Sequence, residues 1–297
     1  MTVFVTDRPH ANPVRGVLWM FAAGLSFVGV NGIVRYLGTD LPAAQSAFLR
    51  FGFGVLFLLP AIRSALRRGF EPGLLRLYGW RGAVHLIAVI LWFYAMARIP
   101  LAEVTAIGYL NPVLVTLGAA LFFGERMTRV RLVAFAVALL GAMIILRPGL
   151  REVSSGHLAQ LAAAVFFAGS YLVGKELSTR ATSAAVVAML SLTVATGLLP
   201  IAVWVWVPVT NAQLGWLALV AACATMGHYC MIQAFQAAPM AITQPVTFLQ
   251  LLWATLVGTF VFNESMDVYV LIGGAVIIAA ISFVTLHEAR MAGPIEQ

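Results

Sequence analysis

The sequence predicts an all-α polytopic membrane protein, in which ten transmembrane helices form two inverted five-helix repeats. Three observations lead to this fold class. Of the 297 residues, 62% are hydrophobic and 10% charged, whereas a soluble domain has about 25% charged residues. Apolar runs of roughly 20 residues recur along the chain, each long enough to cross a hydrocarbon core of about 30 Å. The second half of the chain also repeats the first.

The apolar runs are expected to be helices. Lipid cannot hydrogen-bond to backbone groups, and the runs lack the alternating pattern of barrel strands. Pro100 and Pro239 enforce breaks between neighbouring runs. The ten predicted spans are 17–34, 43–62, 82–98, 101–123, 130–146, 157–174, 184–207, 214–236, 240–262 and 268–286.

The repeat is visible as a constant shift between the halves. Residues 94–146 return at 233–285 with a shift of 139 positions, and the earlier parts align with a shift of 140. A register this constant indicates a duplication. Matched positions are Pro100 and Pro239, Tyr109 and Phe248, Pro112 and Leu251, Glu125 and Glu264, Asn31 and Tyr171, and Arg35 and Lys175.

The basic residues predict the orientation, because Lys and Arg accumulate on the cytoplasmic side. With the N-terminus inside, thirteen basic residues face the cytoplasm and four face outward. Five spans per half is an odd number, so the second half runs through the membrane opposite to the first. The predicted outer residues are Arg35, Arg98, Arg147 and Arg151, and the inner ones are Arg8, Arg15, Arg63, Arg67, Arg68, Arg76, Arg81, Arg126, Arg129, Arg131, Lys175, Arg180 and Arg290.

The predicted organisation follows from these spans. Residues 1–14 form a cytoplasmic tail, 15–148 the first repeat, 149–287 the second repeat and 288–297 a second cytoplasmic tail. The run 17–34 is too long for a signal peptide, so it is expected to stay as a span in a bacterial-type inner membrane. Inverted repeats are typical of secondary transporters with a site near the midplane, between the repeats.

Motifs for other activities are missing from the sequence. It contains no GxxxxGK[ST] loop, no HExxH and no GxSxG, so neither ATP-driven transport within this chain nor a membrane hydrolase is predicted. We predict no enzyme activity, no cofactor, no metal site and no nucleic-acid partner. A non-transporting membrane enzyme or receptor remains an alternative.

Cys223 and Cys230 are about 10 Å apart along a helix, too far to form a disulfide.

The acidic residues limit the substrate class. No carboxylate lies inside a span, and only Glu103 stands at the start of the fourth. Exchange of a lipophilic cation for protons normally needs a carboxylate at depth. Neutral, zwitterionic or anionic substrates are therefore favoured.

Arg50 is the main candidate for substrate binding. It lies about one third of the way through the second span, where a charge is costly unless it faces a wet cavity or a partner. A guanidinium matches a substrate carboxylate in shape and charge. The alternative is that Arg50 extends to the outer interface or donates to carbonyls at a helix end.

Aromatic and polar side chains in the spans supply further candidates. His85 and Trp92 lie on one face of the third span, and Tyr109 and Phe248 are a repeat-related pair. Such faces suit an amphipathic substrate, although helix packing with interhelical hydrogen bonds explains them as well. The predicted substrate-binding residues are Asn31, Arg50, His85, Trp92, Tyr109, Asn111, Tyr171, His228, Tyr229, Gln233, Gln244, Phe248, Gln250 and Trp253.

Proton coupling, if present, is expected at His85, His228 or Glu103, since the two histidines are the in-span groups that titrate near neutral pH. A buried neutral histidine in a hydrogen bond is the alternative.

Other charged groups have structural interpretations. Arg35 is expected to be an interfacial anchor, and Glu264 is expected to lie against the N-terminus of the helix that follows it.

The residues also carry a resemblance to a family. Tyr109-Leu110-Asn111-Pro112, Gly118 to Phe123 and the following Gly124-Glu125-Arg126-Met127-Thr128 resemble the EamA repeat of the drug/metabolite transporter superfamily. The second copy matches less strictly. The resemblance covers nearly the whole chain and implies a ten-helix exporter or exchanger of small metabolites. Within the family the chain looks most like the aromatic amino-acid exporters of the YddG type.

These inferences together predict efflux or exchange of aromatic or hydrophobic amino acids by alternating access through a cavity between the repeats. A broad-specificity metabolite or drug exporter is the first alternative. The expected partners are the small-molecule substrate and the lipid bilayer. The oligomeric state is left open, with a monomer as one possibility.

Overall fold

The computed structural model describes residues 12–123, 128–150, 152–237 and 246–291, and within these every regular element is a helix apart from one isolated bridge residue. The helices run in chain order and are numbered here from α1 to α12. Their bounds are α1 Pro13–Leu37, α2 Ala43–Phe57, α3 Leu59–Arg68, α4 Leu74–Met96, α5 Leu101–Gly108, α6 Leu110–Phe123, α7 Arg129–Leu146, α8 Ser155–Arg180, α9 Ser183–Trp204, α10 Asn211–Ala237, α11 Leu249–Phe262 and α12 Val268–Met291.

The helices agree with the predicted all-α polytopic fold. Of the described helices, six are long and apolar enough to cross a membrane, or seven if the bent pair α2 and α3 is one span. Three shorter apolar helices cover Leu101–Val115, Leu249–Phe262 and Val268–Val284. Each of the ten predicted runs therefore corresponds to a helix. The boundaries of the two repeats and of the tails stay predictions.

Two of the helical runs are interrupted by proline. The run with α2 and α3 bends by 68°, beside Pro60 in the first turn of α3. At the expected kink near Pro112, the structure has a one-residue interruption at Tyr109 between α5 and α6, within the apolar segment Leu101–Val115. Because Pro112 has no N–H to donate to the carbonyl of Gly108, α5 ends at that residue.

A matching break occurs in the second half. The helical backbone is interrupted at Phe248, just before α11, and Phe248 is the repeat counterpart of Tyr109. The counterpart of Pro112 is Leu251, so no proline enforces this break from the same position. Pro245, at which we expected a second kink, lies outside the described residues.

The two halves pack mainly against each other. The most extensive helix pairs are α1 with α10, α4 with α8, α7 with α12 and α2 with α9, and each joins one helix from either half. Gly141 and Gly273 bring α7 and α12 together, since a Cβ on Gly141 would lie 2.7 Å from the carbonyl oxygen of Gly273. Small residues at such an interface let two membrane helices approach closely.

The surface of the described part is apolar, as expected for contact with lipid. Large side chains such as Trp204, Leu121 and Phe260 are 90%, 71% and 78% exposed. A soluble monomer rarely presents so many large apolar groups to water. Both cysteines are free thiols, as the sequence predicted.

Candidate functional site

A pocket between the two halves brings together three of the predicted residues: Arg50 on α2, His85 on α4 and His228 on α10. We call it the central cavity. Helices α2 and α4 come from the first half, and α9 and α10 come from the second, so the cavity is lined by both halves. Its lining is Arg50, Phe51, Gly54, Leu58, His85, Val187, Leu190, Ser191, Ala221, Ala224, Thr225 and His228.

Arg50 has the environment of a ligand-binding cation. Its guanidinium carbon lies 3.9 Å from the centroid of the Phe51 ring, a cation–π contact within one helix. Among the described residues it has no carboxylate partner, and none of the residues that line the cavity is Asp or Glu. Arg50 is half-buried, and a cation–π contact is worth only about 0.5–2 kcal/mol. Whether its donors bind an anion stays a prediction.

The two histidines are held in place by different contacts. His85 Nδ1 lies 3.0 Å from Ser170 Oγ on α8, and its ring meets Phe51 and Phe167 edge to face, with centroids 5.9 and 5.1 Å away. His228 meets Phe27 of α1 in the same way, at 5.2 Å. These contacts fix the rings at the cavity. They bear out the expectation of a hydrogen-bonded histidine for His85, and proton coupling stays a prediction.

Tyr109 and Phe248, the repeat-related pair, are in contact. Their ring centroids are 5.5 Å apart at an interplanar angle of 90°. The hydroxyl of Tyr109 donates to the backbone carbonyls of Thr247 at 3.3 Å and of Phe248 at 3.5 Å. Tyr109 and Phe248, which each lie at the interruption of a helix, therefore contact each other. The sequence predicted the relation between the two residues, and their role as cavity lining stays a prediction.

The remaining predicted residues near α1 and α11 are partly buried. Trp253 meets Phe21 edge to face at 6.2 Å, and its buried Nε1 has no hydrogen-bond partner in the described structure. Gln250 lies beside Gly24, since a Cβ there would be 3.5 Å from the Gln250 Cγ.

Other predicted residues lie outside the lining of the central cavity. Trp92 packs against the main apolar core, and Asn111 has a buried side-chain oxygen without a partner among the described residues. Tyr171 and Tyr229 are 44% and 53% exposed, with Tyr171 stacked on Phe167 and Tyr229 against Trp19. Asn31 and Gln233 are half-buried, and Gln244 lies outside the described residues. Substrate contact by these side chains stays a prediction.

Glu103 belongs to a different site from the two cavity histidines. Its Oε2 lies 2.6 Å from Nε2 of His157, and both side chains are buried. His157 was not among the predicted titratable groups, although it stands in the first turn of α8, at the start of a predicted span. Both residues line a cavity of about 340 Å³ that also contains Glu264 and Asp267. We call it the outer cavity, because it lies at the predicted outer end.

Glu264 corrects two of the structural expectations. It forms an ion pair with Arg35 at 2.8 Å, and its Oε2 accepts a hydrogen bond from the backbone N–H of Leu101 at 2.9 Å. The carboxylate therefore caps the N-terminus of α5, which lies far away in the sequence, where the positive helix dipole stabilises it. Arg35 is accordingly a specific partner of Glu264 rather than only an interfacial anchor.

Arg81 is a cation that the sequence analysis counted only as a topology signal. It is 9% exposed and lies four residues before His85, which places both on one face of α4. Its Nη1 donates to the carbonyl of Val186 at 3.2 Å. The spacing from His85 was the signal that could have identified it.

Comparisons with known proteins agree with this architecture. Two segments, 14–147 and 154–286, match the EamA-like transporter family. Over 288 residues the chain is 29% identical to a riboflavin transporter of Vibrio cholerae, covering 94% of this chain and 95% of that protein. It is 32% identical to a riboflavin transporter of Rhizobium johnstonii, with 93% of each covered.

A third relative is named for a different solute. The pseudopaline exporter CntI of Pseudomonas aeruginosa is 30% identical over 271 residues, which cover 89% of this chain and 94% of the exporter. These three names do not include aromatic amino acids, so the finer resemblance to the YddG-type exporters is not shown. The match across both halves does show the family. The chain belongs to the EamA-like transporter family, whose named relatives here are small-molecule transporters.

Proposed function

We propose that this protein is a secondary transporter for a small amphipathic metabolite that carries a carboxylate beside an aromatic or bulky apolar group. The observation that carries the proposal is Arg50, a cation in a cavity between the two halves with no carboxylate partner among the described residues. A guanidinium in this setting binds a carboxylate through two parallel hydrogen bonds, strengthened by the apolar surroundings.

The substrate class follows from the rest of the cavity. Phe51 lines it directly, and Phe167 lies against the His85 ring. Ser191 and Thr225 add two hydroxyls to the lining. A few polar groups within an apolar wall bind an amphipathic ligand and fix its orientation. Aromatic and hydrophobic amino acids combine a carboxylate with such a side chain, so we propose them as the first substrate class.

The transport cycle that we propose is alternating access. The largest interfaces lie between the halves, and the central cavity is built from both. A small rocking of one half against the other would expose the cavity first to one side and then to the other. The described residues that line the cavity include no carboxylate for proton exchange, so we propose efflux by facilitated diffusion or exchange, across a bacterial inner membrane with both termini in the cytoplasm.

A second candidate is a broader exporter or importer of aromatic metabolites, and similarity favours it. Two riboflavin transporters match the chain at 29% and 32% identity over nearly their full length. Riboflavin is a planar aromatic molecule without a carboxylate. If it were the substrate, the aromatic groups would supply most of the binding and Arg50 would matter less.

The experiment is uptake into proteoliposomes that contain the purified full chain. Labelled L-tryptophan, L-phenylalanine, L-leucine and riboflavin are offered with and without an imposed pH gradient, and empty liposomes are the control. Saturable uptake of the amino acids supports the first proposal, and uptake of riboflavin alone supports the second. Stimulation by the gradient would contradict facilitated transport and implicate His85, His228 or Glu103. If no probe is taken up by folded protein, both substrate proposals fail.

A further inference from the structure

Arg81 is buried with an incomplete set of hydrogen bonds. Only 9% of the residue is exposed, and its one hydrogen bond to a described residue is the contact of Nη1 with the carbonyl of Val186. Its Nε is buried without a partner in the described structure. A guanidinium has five N–H donors, and a buried donor left unsatisfied costs about 1–3 kcal/mol.

The neighbours of Arg81 add further unused polar groups. The hydroxyl of Tyr78, one turn away on α4, is buried and has no hydrogen-bond partner among the described residues. Arg81 interacts electrostatically with Tyr78 and with Tyr171 of α8. Tyr78 and Arg81 are three residues apart on one face of α4, and the Arg81 guanidinium and the Tyr78 hydroxyl each keep an unused donor.

Glycine makes room for the guanidinium at the same place. A Cβ on Gly174 of α8 would lie 3.2 Å from Cζ, Nε and Nη2 of Arg81. A contact of 3.2 Å to three atoms of a planar group would crowd it, so any larger side chain would displace the guanidinium. The sequence thus places a cation against bare helix backbone instead of against a carboxylate.

Arg81 lies next to the central cavity. His85, four residues further along α4, lines that cavity together with Arg50 and His228. Among the described residues, Arg81 has no carboxylate partner. Along α4, Arg81 lies about 6 Å from His85, in the direction of the predicted inner end. A structural role would need only the contact with Val186 and does not account for the unused donors of Arg81 and Tyr78.

We propose that Arg81, with the hydroxyl of Tyr78, is a second oxyanion-binding site, which takes the carboxylate or phosphate of the transported solute between the central cavity and the predicted inner end. This inference rests on the proposed function and deepens it. A solute with an anionic group exchanges Arg50 for Arg81 as the halves rearrange. The paired N–H donors of the guanidinium, together with a hydroxyl donor, match the geometry of a carboxylate or phosphate.

The test compares the purified full chain with two variants. Arg81→Gln removes the positive charge, and Arg81→Lys keeps the charge but loses the paired N–H donors of the planar guanidinium. Arg76→Gln is the matched control, since Arg76 is exposed on the same helix. The probes form two pairs that differ in the oxyanion: L-tryptophan with tryptophanamide, and riboflavin 5′-phosphate with riboflavin. For each probe, the ligand-dependent rise in Tm measures binding in detergent, and proteoliposome uptake measures transport.

A second oxyanion site predicts selective losses. Arg81→Gln should lower the uptake of the anionic member of a transported pair about tenfold or more and change the other member less than about twofold. For the anionic member, the uptake by Arg81→Lys should lie between the uptake by Arg81→Gln and that by the wild type. The uptake by Arg76→Gln should equal that of the wild type. Equal loss for both members of a pair would assign a structural role to Arg81 and overturn the inference.

Binding separates this inference from the proposed function. If the wild type transports none of the probes but is stabilised more by riboflavin 5′-phosphate than by riboflavin, and Arg81→Gln removes that difference, the proposed function fails and the oxyanion site stands. If the wild type transports the anionic probes and Arg81→Gln does so equally well, the site fails and the function stands. No preference of the wild type for the anionic probes, in binding or uptake, also overturns the site. If Arg81→Gln does not fold, Arg81→Lys alone decides by the same comparison of paired probes.

Discussion

The central cavity and the outer cavity hold similar residue types in opposite arrangements. In the central cavity, Arg50, His85 and His228 line the wall, and none of the described lining residues is acidic. In the outer cavity, each of the three carboxylates has a polar partner: Glu264 pairs with Arg35, Asp267 pairs with Arg147, and Glu103 contacts Nε2 of His157.

The difference indicates which cavity is available to a ligand. A partly buried pair in good geometry already satisfies both charges, and removing one partner leaves the other exposed to a low dielectric. A cation that has no such partner is incompletely solvated, and its charge remains energetically unfavourable there until an anion binds to it. We therefore propose that the outer cavity is a structural cluster that holds helix ends together and that the central cavity is the substrate site. Four predictions test this distinction.

The largest effect is expected at Arg50. Arg50→Ala should reduce the uptake of carboxylate-bearing substrates by about tenfold to a hundredfold, because the charge-assisted bond to the substrate is lost. Uptake of a matched substrate without a carboxylate should change much less. Initial rates in proteoliposomes measure this, and Arg63→Ala, at an exposed position of α3, is the control. Equal loss for both substrates would remove Arg50 from carboxylate binding.

A loss of stability rather than of selectivity is expected at Glu264. Glu264→Gln leaves Arg35 without its charged partner and weakens the acceptor for the N–H of Leu101, which should cost about 1–3 kcal/mol. Thermal unfolding in detergent measures the change. The double variant Arg35→Gln with Glu264→Gln should recover part of the loss, because no isolated charge remains. Strictly additive effects would contradict a coupled pair.

A smaller effect on transport is expected at the Glu103–His157 pair. If this pair is structural, Glu103→Gln should keep the hydrogen bond to His157 in weaker form, and uptake should stay within about threefold of the wild type at equal amounts of folded protein. Its response to an imposed pH gradient should be unchanged. Loss of a gradient response that the wild type possesses would instead make the outer cavity part of the energy coupling.

The smallest effect is expected from the hydroxyl of Tyr109. Tyr109→Phe removes two long hydrogen bonds to backbone carbonyls and keeps the ring contact with Phe248. We expect a loss of about 0.5–1.5 kcal/mol in stability with little change in KM. Phe248→Ala, which removes the ring partner, should lower uptake more. A larger effect of Tyr109→Phe than of Phe248→Ala would mean that the hydroxyl contacts the substrate directly.

The sequence by itself determined the architecture and much of the central cavity. Apolar runs of membrane length, an odd number of spans per half and a constant shift between the halves leave little freedom in the fold. Arg50, His85 and His228 could also be identified from the sequence, because a polar or charged side chain within an apolar membrane helix costs free energy and therefore usually has a specific role. The shift of 139 positions also related Tyr109 to Phe248 before their contact was seen.

Only the tertiary structure decided which charged groups meet. Glu264 bonds to the N–H of Leu101, 163 positions away, and Glu103 finds His157 on another helix. Arg81 looked like one more cytoplasmic charge until its burial among α4, α8 and α9 was visible. Such pairings depend on the rotation and depth of each helix against its neighbours, which are set by side-chain packing across the whole bundle. A hydrophobic pattern along one segment does not contain that information.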